Sequence, residues 1–348
     1  MNSSNFIIRI FFLVILGLFY NAASAQIGGQ TVFNGLNIQP AARVAAMGGN
    51  FISSKDGDVN LANSNPSLID SSMHGMMALS YVDYFAKTNF GHAAYAHQLK
   101  KDLTLAANVQ FISHGKMNEY DALGNAIGTF SAGDYMLNIG AGYQYDSLWS
   151  LGASFKTLYA NIAEYNSLAF AIDAGATYHN PVKNWTISGV IRNLGTQVKT
   201  FTADNREKLP FEIQVGISKK PQHAPFRFSL TLENLQQWDL TYEGESGSAT
   251  TDPLTGEEVS TRNFEFGDKA MRHAILGVEF LLSEKFQFQM AYNYRRRQEL
   301  AIENKPGMSG FSFGVFFKVK KIELSYGRAI YNIAGPSNHF TFGYRLNS

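Results

Sequence analysis

The chain has 348 residues, with 29 Lys and Arg against 28 Asp and Glu, and a slightly negative mean hydropathy. The net charge of +1 gives no electrostatic basis for binding nucleic acid, and the absence of cysteine excludes disulfides, thiolate catalysis and zinc–thiolate sites. No stretch reaches the roughly 20 apolar residues of a membrane helix, whereas 14% aromatic residues and 31 glycines are typical of an all-β protein.

Residues 1–25 have the pattern of a secretory signal peptide. Arg9 ends a short polar segment, Ile10 to Phe19 form an apolar core, and Ala23-Ser24-Ala25 is a small-residue cleavage site. We therefore predict that the mature chain begins at Gln26 and is exported. Because residue 26 is not Cys, lipid attachment there is excluded.

Residues 26–75 precede the first alternating segment and are rich in small and polar side chains. Ala41 to Met47 predict a short helix that ends at Gly48-Gly49, and Asn65-Pro66 predict a turn. Apolar residues spread through the segment, such as Val44, argue against a disordered tail. We predict a compact plug that follows the inner wall of a barrel.

From Met76 onward, apolar and polar residues alternate in short segments separated by turn residues. One segment places Phe228 and Leu230 on one face and Ser229 and Thr231 on the other. Most segments have about 10 to 13 residues, enough to cross a bilayer as tilted strands. Fourteen segments predict an all-β fold, a 14-stranded antiparallel transmembrane barrel over residues 76–348. They are 76–84, 89–99, 102–113, 132–145, 147–160, 167–179, 183–194, 209–219, 225–236, 270–282, 284–296, 309–319, 321–330 and 338–347.

The connections between these segments sort by length. Nearly all even-numbered connections are very short, and the odd-numbered ones include 114–131, 195–208, 237–269 and 297–308. Short turns on one rim and long loops on the other are typical of outer-membrane barrels, whose short turns are periplasmic. We predict that both termini are periplasmic. A soluble β-sandwich is the alternative, although it has no reason to sort its connections in this way.

The inner face of the predicted barrel carries five acids and six bases. A selective pore usually shows one dominant sign of charge, so this balance favours ion pairs that tie the wall to something inside. An open porin, in which water solvates these groups, is the alternative, and a fatty-acid conduit would need a more apolar lumen. The residues are Lys156, Asp173, Arg192, Glu212, Arg227, Glu233, Glu279, Arg295, Lys318, Glu323 and Arg345.

Two motifs suggest chemistry that their surroundings do not favour. Gly310 to Gly314 match the nucleophile elbow G-x-S-x-G, but they lie in an alternating segment and not in a strand-to-helix turn. Asp56, Asp58 and Asn60 have the initial spacing of a calcium loop, but the position of its bidentate Glu is Ser67. We predict no enzyme activity, no cofactor and no metal site.

Loop 237–269 contains eight acids against Arg262 and Lys269. We predict a hairpin that continues two strands beyond the membrane and offers aromatic anchors to a partner. An acidic loop kept soluble by its charge is the alternative. The predicted partner-binding residues are Trp238, Tyr242, Glu243, Glu257, Glu258, Phe264 and Phe266.

Motifs in residues 26–98 carry a family resemblance. Ala42 to Asn50, Asp58 to Ala62, Asn65 to Leu68 and Ala93 to His97 resemble the long-chain fatty-acid transporter-like barrels. Within that superfamily they are most similar to the PorV/PorQ branch, outer-membrane proteins of type IX secretion. The rest of the chain agrees only in strand count and length. The matching plug residues are Arg43, Met47, Gly48, Gly49, Asp58, Asn65 and Pro66.

This resemblance implies a docking scaffold in a surface attachment complex, with no catalytic residue in the chain. Such a barrel would hold a PorZ-like surface protein, beside a sortase-like PorU and the related barrel PorV, where secreted cargo is joined to lipopolysaccharide. A cargo-receiving PorV-like role and a passive or hydrophobic-substrate channel are the alternatives. Arg295 to Arg297, where a strand enters a long loop, offer a contact for lipopolysaccharide phosphates. A solvated strand end is the alternative there.

Overall fold

The computed structural model describes residues 31–84, 88–203, 205–241, 266–300, 307–332 and 335–346. None of the helices in these ranges combines the length and apolar character needed to cross a bilayer. The predicted signal peptide lies outside the described residues. So does most of loop 237–269, including Tyr242, Glu243, Glu257, Glu258 and Phe264.

Fourteen antiparallel strands close into a barrel, in which β1 pairs with both β2 and β14. The predicted fold is therefore confirmed. The strands are β1 Met76–Asp83, β2 Asn89–Lys100, β3 Leu103–Tyr120, β4 Ala126–Gln144, β5 Trp149–Ile162, β6 Tyr165–Asn180, β7 Trp185–Lys199, β8 Glu212–Lys219, β9 Phe226–Leu232, β10 Ala274–Phe280, β11 Phe286–Asn293, β12 Phe311–Val319, β13 Ile322–Asn332 and β14 Gly335–Arg345.

The apolar face of the strands points outward. Phe228 is exposed whereas Ser229 and Thr231 are buried, and Ser312 of the elbow-like motif is a buried residue within β12. Aromatic residues on the outer face form two bands, one toward each rim. Near the short turns they are Tyr143, Trp149, Tyr178, Trp185, Phe226, Phe280, Phe286, Phe317 and Tyr344, and near the other rim Tyr81, Tyr135, Tyr159, Tyr292, Phe311, Tyr326 and Phe340.

The two rims differ in their connections as predicted. One rim, here called the turn rim, has only short links at 101–102, 145–148, 181–184, 220–225, 281–285 and 320–321. The opposite rim, here called the loop rim, carries the long connections 200–211, 233–273 and 294–310.

The predicted long loop 114–131 was wrong. β3 runs to Tyr120 and β4 begins at Ala126, so the two strands continue as a paired hairpin with a short tip. The alternating pattern stops earlier because both faces become polar beyond Ser113. A register shift between Ser113 and Lys116 also changes which side chains share a face.

Residues 31–75 form the predicted plug. The plug helix, Ala42–Ala46, is fully buried and packs against β12, β13 and β14. At one end of the plug, Thr31 pairs with Lys208 in the β7–β8 connection of the loop rim. At the other end the chain enters β1 at the turn rim, so the plug runs the height of the lumen. The side on which the two termini lie stays a prediction, because both are outside the described residues.

Glycines in the wall make room for the plug. A Cβ on Gly152 would overlap the main chain of Pro66, and a Cβ on Gly327 would overlap the carbonyl group of Ala42. Gly152 pairs with a glycine on each neighbouring strand and Gly327 pairs with a glycine on one, so the wall lacks side chains where the plug lies against it. These glycines are Gly142, Gly152, Gly175, Gly314 and Gly327.

Candidate functional site

An ion cluster centred on Arg43 of the plug helix joins the plug to the wall. The Arg43 guanidinium donates to the Asp56 carboxylate at 3.0 and 2.6 Å, to Asp58 Oδ2 at 3.3 Å and to Glu279 Oε1 at 3.0 and 2.8 Å. Arg227 of β9 donates to Asp56 at 2.8 Å and to Glu279 at 2.9 Å. We call Arg43, Asp56, Asp58, Arg227 and Glu279 the plug–wall ion cluster.

The plug–wall ion cluster lies where an isolated charge would be costly. The Glu279 side chain is 0% exposed and the Arg43 side chain 8%. The Phe51 ring centroid lies 5.3 Å from the Arg43 guanidinium carbon. Removing one partner of such a buried pair costs about 3–5 kcal/mol, because the other partner keeps an uncompensated charge. An exposed surface pair contributes far less, about 0–1 kcal/mol.

The family-motif residues Asp58 and Asn65 cap turns within the plug. Asp58 Oδ1 accepts a hydrogen bond from the Asn60 amide at 3.0 Å, and Asn65 Oδ1 accepts one from the Ser67 amide at 3.0 Å. These bonds satisfy backbone donors at the starts of 3₁₀ turns. Pro66 occupies the first position of the second turn, where its fixed φ is suitable. The calcium-like spacing is thus explained by a cap and by pairing with Arg43.

The remaining motif residues end the plug helix. Gly48 and Gly49 have φ values of 88° and 98°, which disfavour a side chain. The Gly48 carbonyl accepts hydrogen bonds from Asn293 at 3.4 Å and from Arg296 at 3.2 Å, so the helix end is bound to the wall. Met47 is buried and packs against β10.

The plug–wall ion cluster predicts how the free energy of unfolding changes as the pH falls. Burial favours the neutral Asp56 carboxyl, but Arg43 and Arg227 outweigh this effect and hold the pKa of Asp56 well below its usual value. Such a group stabilises the fold above its unfolded pKa, about 3.9, and this stabilisation is lost as the pH falls through the lowered folded pKa. We expect the Asp56 contribution to the free energy of unfolding to be constant from about pH 7 to 5 and to fall below about pH 4.

Urea unfolding in detergent micelles at stepped pH measures this dependence. In Asp56→Asn the decline below about pH 4 should be shallower than in the wild type. An equally steep decline in both proteins would show that other groups govern the acid response.

Eight of the other nine predicted inner-face charges form ion pairs, but these four pairs join residues outside the plug to each other, so the expected ties between wall and plug are those of the plug–wall ion cluster. The ninth charge, Arg345, donates instead to the backbone carbonyl oxygens of Ser72 and His74 in the plug at 2.8 and 3.3 Å. The pairs are Lys156–Asp173 at 2.6 Å, Arg192–Glu212 at 3.8 Å, Arg295–Glu233 at 2.8 Å and Lys318–Glu323 at 2.7 Å.

The arginines Arg295 to Arg297 differ from expectation. The strand ends at Asn293, and these residues belong to a helix, Tyr294–Leu300. Arg295 pairs with Glu233, and Arg296 and Arg297 donate to backbone carbonyl groups of the protein. The triplet therefore braces the inside of the loop rim and is not a solvated strand end.

Two of the predicted partner-binding residues meet at the loop rim. The Trp238 and Phe266 rings lie 5.1 Å apart between centroids, and the two residues are 51% and 76% exposed. The His273 ring also stacks on Trp238, with 5.6 Å between the ring centroids. A hydrogen bond between His273 Nδ1 and the Glu233 carbonyl at 2.7 Å holds its ring in place. The result is an exposed aromatic pair on a fixed base.

The described ends of loop 237–269 are not strands. Residues 233–241 are irregular and Phe266–Arg272 is a helix. The predicted hairpin therefore does not continue directly from β9 and β10. Its acidic tip lies outside the described residues.

Sequence reasoning missed how Arg43 finds its partners. Arg227 and Glu279 were identified as inner-face charges, but the plug path that brings Arg43 between them depends on packing. One sequence signal pointed to this cluster. The plug contains an arginine and, 13 and 15 residues later, the acids Asp56 and Asp58, and the predicted lumen has nearly balanced charges.

Solved structures with this fold include outer-membrane transporters. The Pseudomonas putida toluene transporter TodX is 12% identical, with a TM-score of 0.53, over 88% of this chain and 96% of that chain. The TodX deltaS2 mutant, a monoaromatic hydrocarbon channel, is 12% identical with a TM-score of 0.52, over 87% and 96%. No protein-family model matches this chain, and no curated protein matches its sequence. At this identity the likeness shows the fold alone.

Proposed function

We propose that this chain is an outer-membrane barrel that acts as a docking scaffold in a type IX secretion attachment complex. It would anchor a PorZ-like surface partner, beside a sortase-like PorU and a PorV barrel, and it would perform no catalysis. The observation that carries the proposal is the plug, which the plug–wall ion cluster ties into the lumen. A barrel closed in this way is suited to holding a partner and not to conducting solutes.

The membrane location is supported by four features of the barrel. The outer face is apolar, aromatic bands follow both rims, short turns occupy one rim, and the fold is shared with TodX. In an outer membrane the turn rim would face the periplasm and the loop rim the cell surface. The exposed Trp238–Phe266 pair would then be available to a surface partner.

Removing the aromatic pair should release the partner. We expect the double variant Trp238→Ala/Phe266→Ala to recover at least tenfold less of the surface partner than the wild type, because exposed aromatic anchors dominate binding free energies. The measurement is a mild-detergent pull-down of the tagged protein from native outer membranes, with quantitative mass spectrometry. Tyr120→Ala is the matched control, since Tyr120 is an exposed aromatic residue of the other surface hairpin. Purification of the wild type alone would contradict the scaffold.

A transporter of hydrophobic compounds is the second candidate. Its support is an apolar cluster in the lumen around Phe33, which includes Ile112, Met136 and Leu158, together with the TodX-like fold. Against it, a cavity of about 530 Å³ at the turn rim is lined mainly by charged and polar groups and ends at the plug–wall ion cluster. Toluene uptake by vesicles containing the wild-type protein would favour the transporter. Uptake equal to that of empty vesicles would support the scaffold.

A further inference from the structure

A row of polar residues crosses the outer wall near the loop rim. Arg328 on β13 pairs in register with Asn338 on β14, which pairs with Asp83 on β1, which pairs with Asn89 on β2. The neighbouring row of outward-facing residues, two positions closer to the turn rim, is aromatic on three of these strands. It consists of Tyr326, Phe340 and Tyr81.

Two tyrosines reach from the aromatic row to the polar row. The Tyr326 hydroxyl donates to Asn338 Oδ1 at 2.8 Å, and the Tyr81 hydroxyl donates to Asn89 Oδ1 at 2.6 Å. Tyrosines with an apolar ring and a hydrogen-bonded tip are enriched at membrane–water interfaces. The polar row therefore marks the upper edge of the apolar belt in this sector of the wall.

Arg328 leaves most of its donors unused at this edge. Among the described residues, its guanidinium makes one side-chain hydrogen bond, from NH1 to Asn338 Oδ1 at 3.5 Å. Asn338 Oδ1 accepts from both Arg328 and Tyr326, and the Asn338 amide nitrogen donates to no partner among the described residues. The carboxylate of the row, Asp83, lies on the far side of Asn338 and forms no ion pair with Arg328 in the described ranges.

We propose that Arg328 and Asn338 bind a phosphate group of an outer-leaflet lipid. This inference rests on the membrane location proposed above. An arginine on the lipid face costs about 2–4 kcal/mol at the bilayer midplane but about 0–1 near the interface, so the headgroup level is where an exposed arginine is tolerated. A planar guanidinium pairs with phosphate oxygens through two parallel hydrogen bonds. The adjacent amide of Asn338 supplies a further donor, and its hydrogen bond from the Tyr326 hydroxyl holds that amide in place.

Arg328→Met tests the site without an expected folding defect, because methionine suits a lipid-facing position. Delipidated protein in detergent would be titrated with bisphosphorylated lipid A, with the dephosphorylated lipid and with inorganic phosphate, and occupancy read by native mass spectrometry. We expect about a tenfold weaker affinity of Arg328→Met for the bisphosphorylated lipid. Asn338→Ala should lose less affinity for the bisphosphorylated lipid than Arg328→Met does. The dephosphorylated lipid should bind the wild type and both variants equally weakly.

Arg206→Met is the matched control, because Arg206 is an exposed arginine in the β7–β8 connection and outside the outer wall. Unchanged affinity in Arg328→Met would overturn the site. Inorganic phosphate that competes as well as the lipid would overturn the lipid source and leave a free-phosphate site. Failure of the wild type to insert into vesicles would instead contradict the proposed membrane location, so the two failures are distinguishable.

Discussion

Replacing Arg43 by methionine should lower the free energy of unfolding by about 3–5 kcal/mol. Methionine keeps much of the side-chain length but removes the central cation, so that Arg227 is the one cation left to pair with both Asp56 and Glu279 within the plug–wall ion cluster. The Glu279 side chain is fully buried, so water does not solvate its charge in this position. We therefore expect the plug to detach from the wall near β9 and β10 before the barrel itself unfolds.

Two measurements together check this expectation. Urea unfolding in micelles gives the loss of stability, and limited proteolysis shows whether the plug becomes cleavable in the native barrel. Lys318→Met is the matched control, since it breaks the partly exposed pair with Glu323 and should cost no more than about 1 kcal/mol. Equal effects of the two substitutions would contradict a special role of the cluster. The double variant Arg43→Met/Glu279→Gln should recover part of the loss, because it removes a buried uncompensated charge.

A single methyl group at Gly152 should displace the plug. The Cβ of Gly152→Ala would overlap the main chain of Pro66, which cannot move aside as a flexible side chain would. Overpacking of this kind costs about 1–3 kcal/mol. Because the capped turn at Asn65 is pressed against the wall here, the plug must shift as a unit. We expect the wild type to conduct ions poorly and the conductance of Gly152→Ala in planar bilayers to rise well above that of the wild type.

Gly189→Ala is the matched control, because it tests whether any glycine-to-alanine substitution in the barrel wall has the effect expected at Gly152. Gly189 lies on β7 of the same wall, and a Cβ there meets no atom within 4 Å. Its stability and conductance should match those of the wild type. An open wild-type channel, or the same conductance in both variants, would contradict a plug seated on the bare wall at Gly152.

The strands were predictable because a polar lumen and an apolar outer face impose a period of two on each strand of the barrel. The prediction failed where that constraint ends. Beyond Ser113 both faces of the hairpin become polar and the pattern disappears, although the backbone ladder continues to Tyr120. The alternating pattern likewise predicted a strand over 284–296, whereas the structure turns into a helix after Asn293.

The candidate site was predictable in its parts and not in its assembly. Arg43 and Asp58 stood out through their motifs, and Glu279 through its place on the inner face. Which wall charge faces which plug charge depends on the register of fourteen strands and on the path of the plug, and no local pattern encodes either. The meeting of Trp238 with Phe266 likewise requires the irregular ends of a long loop, where periodicity carries no information.

The course of the plug constrains the order of assembly. Thr31 lies at one rim, Met76 starts β1 at the other, and the intervening residues press on bare glycines of the wall. A segment fitted so closely cannot be drawn through a finished cylinder. The sheet must therefore wrap around the plug while it is still open, and the pairing of β1 with β14 would then form last. In the proposed outer-membrane location, the machinery that inserts this chain would have to accommodate a partly curled sheet with the plug already in place.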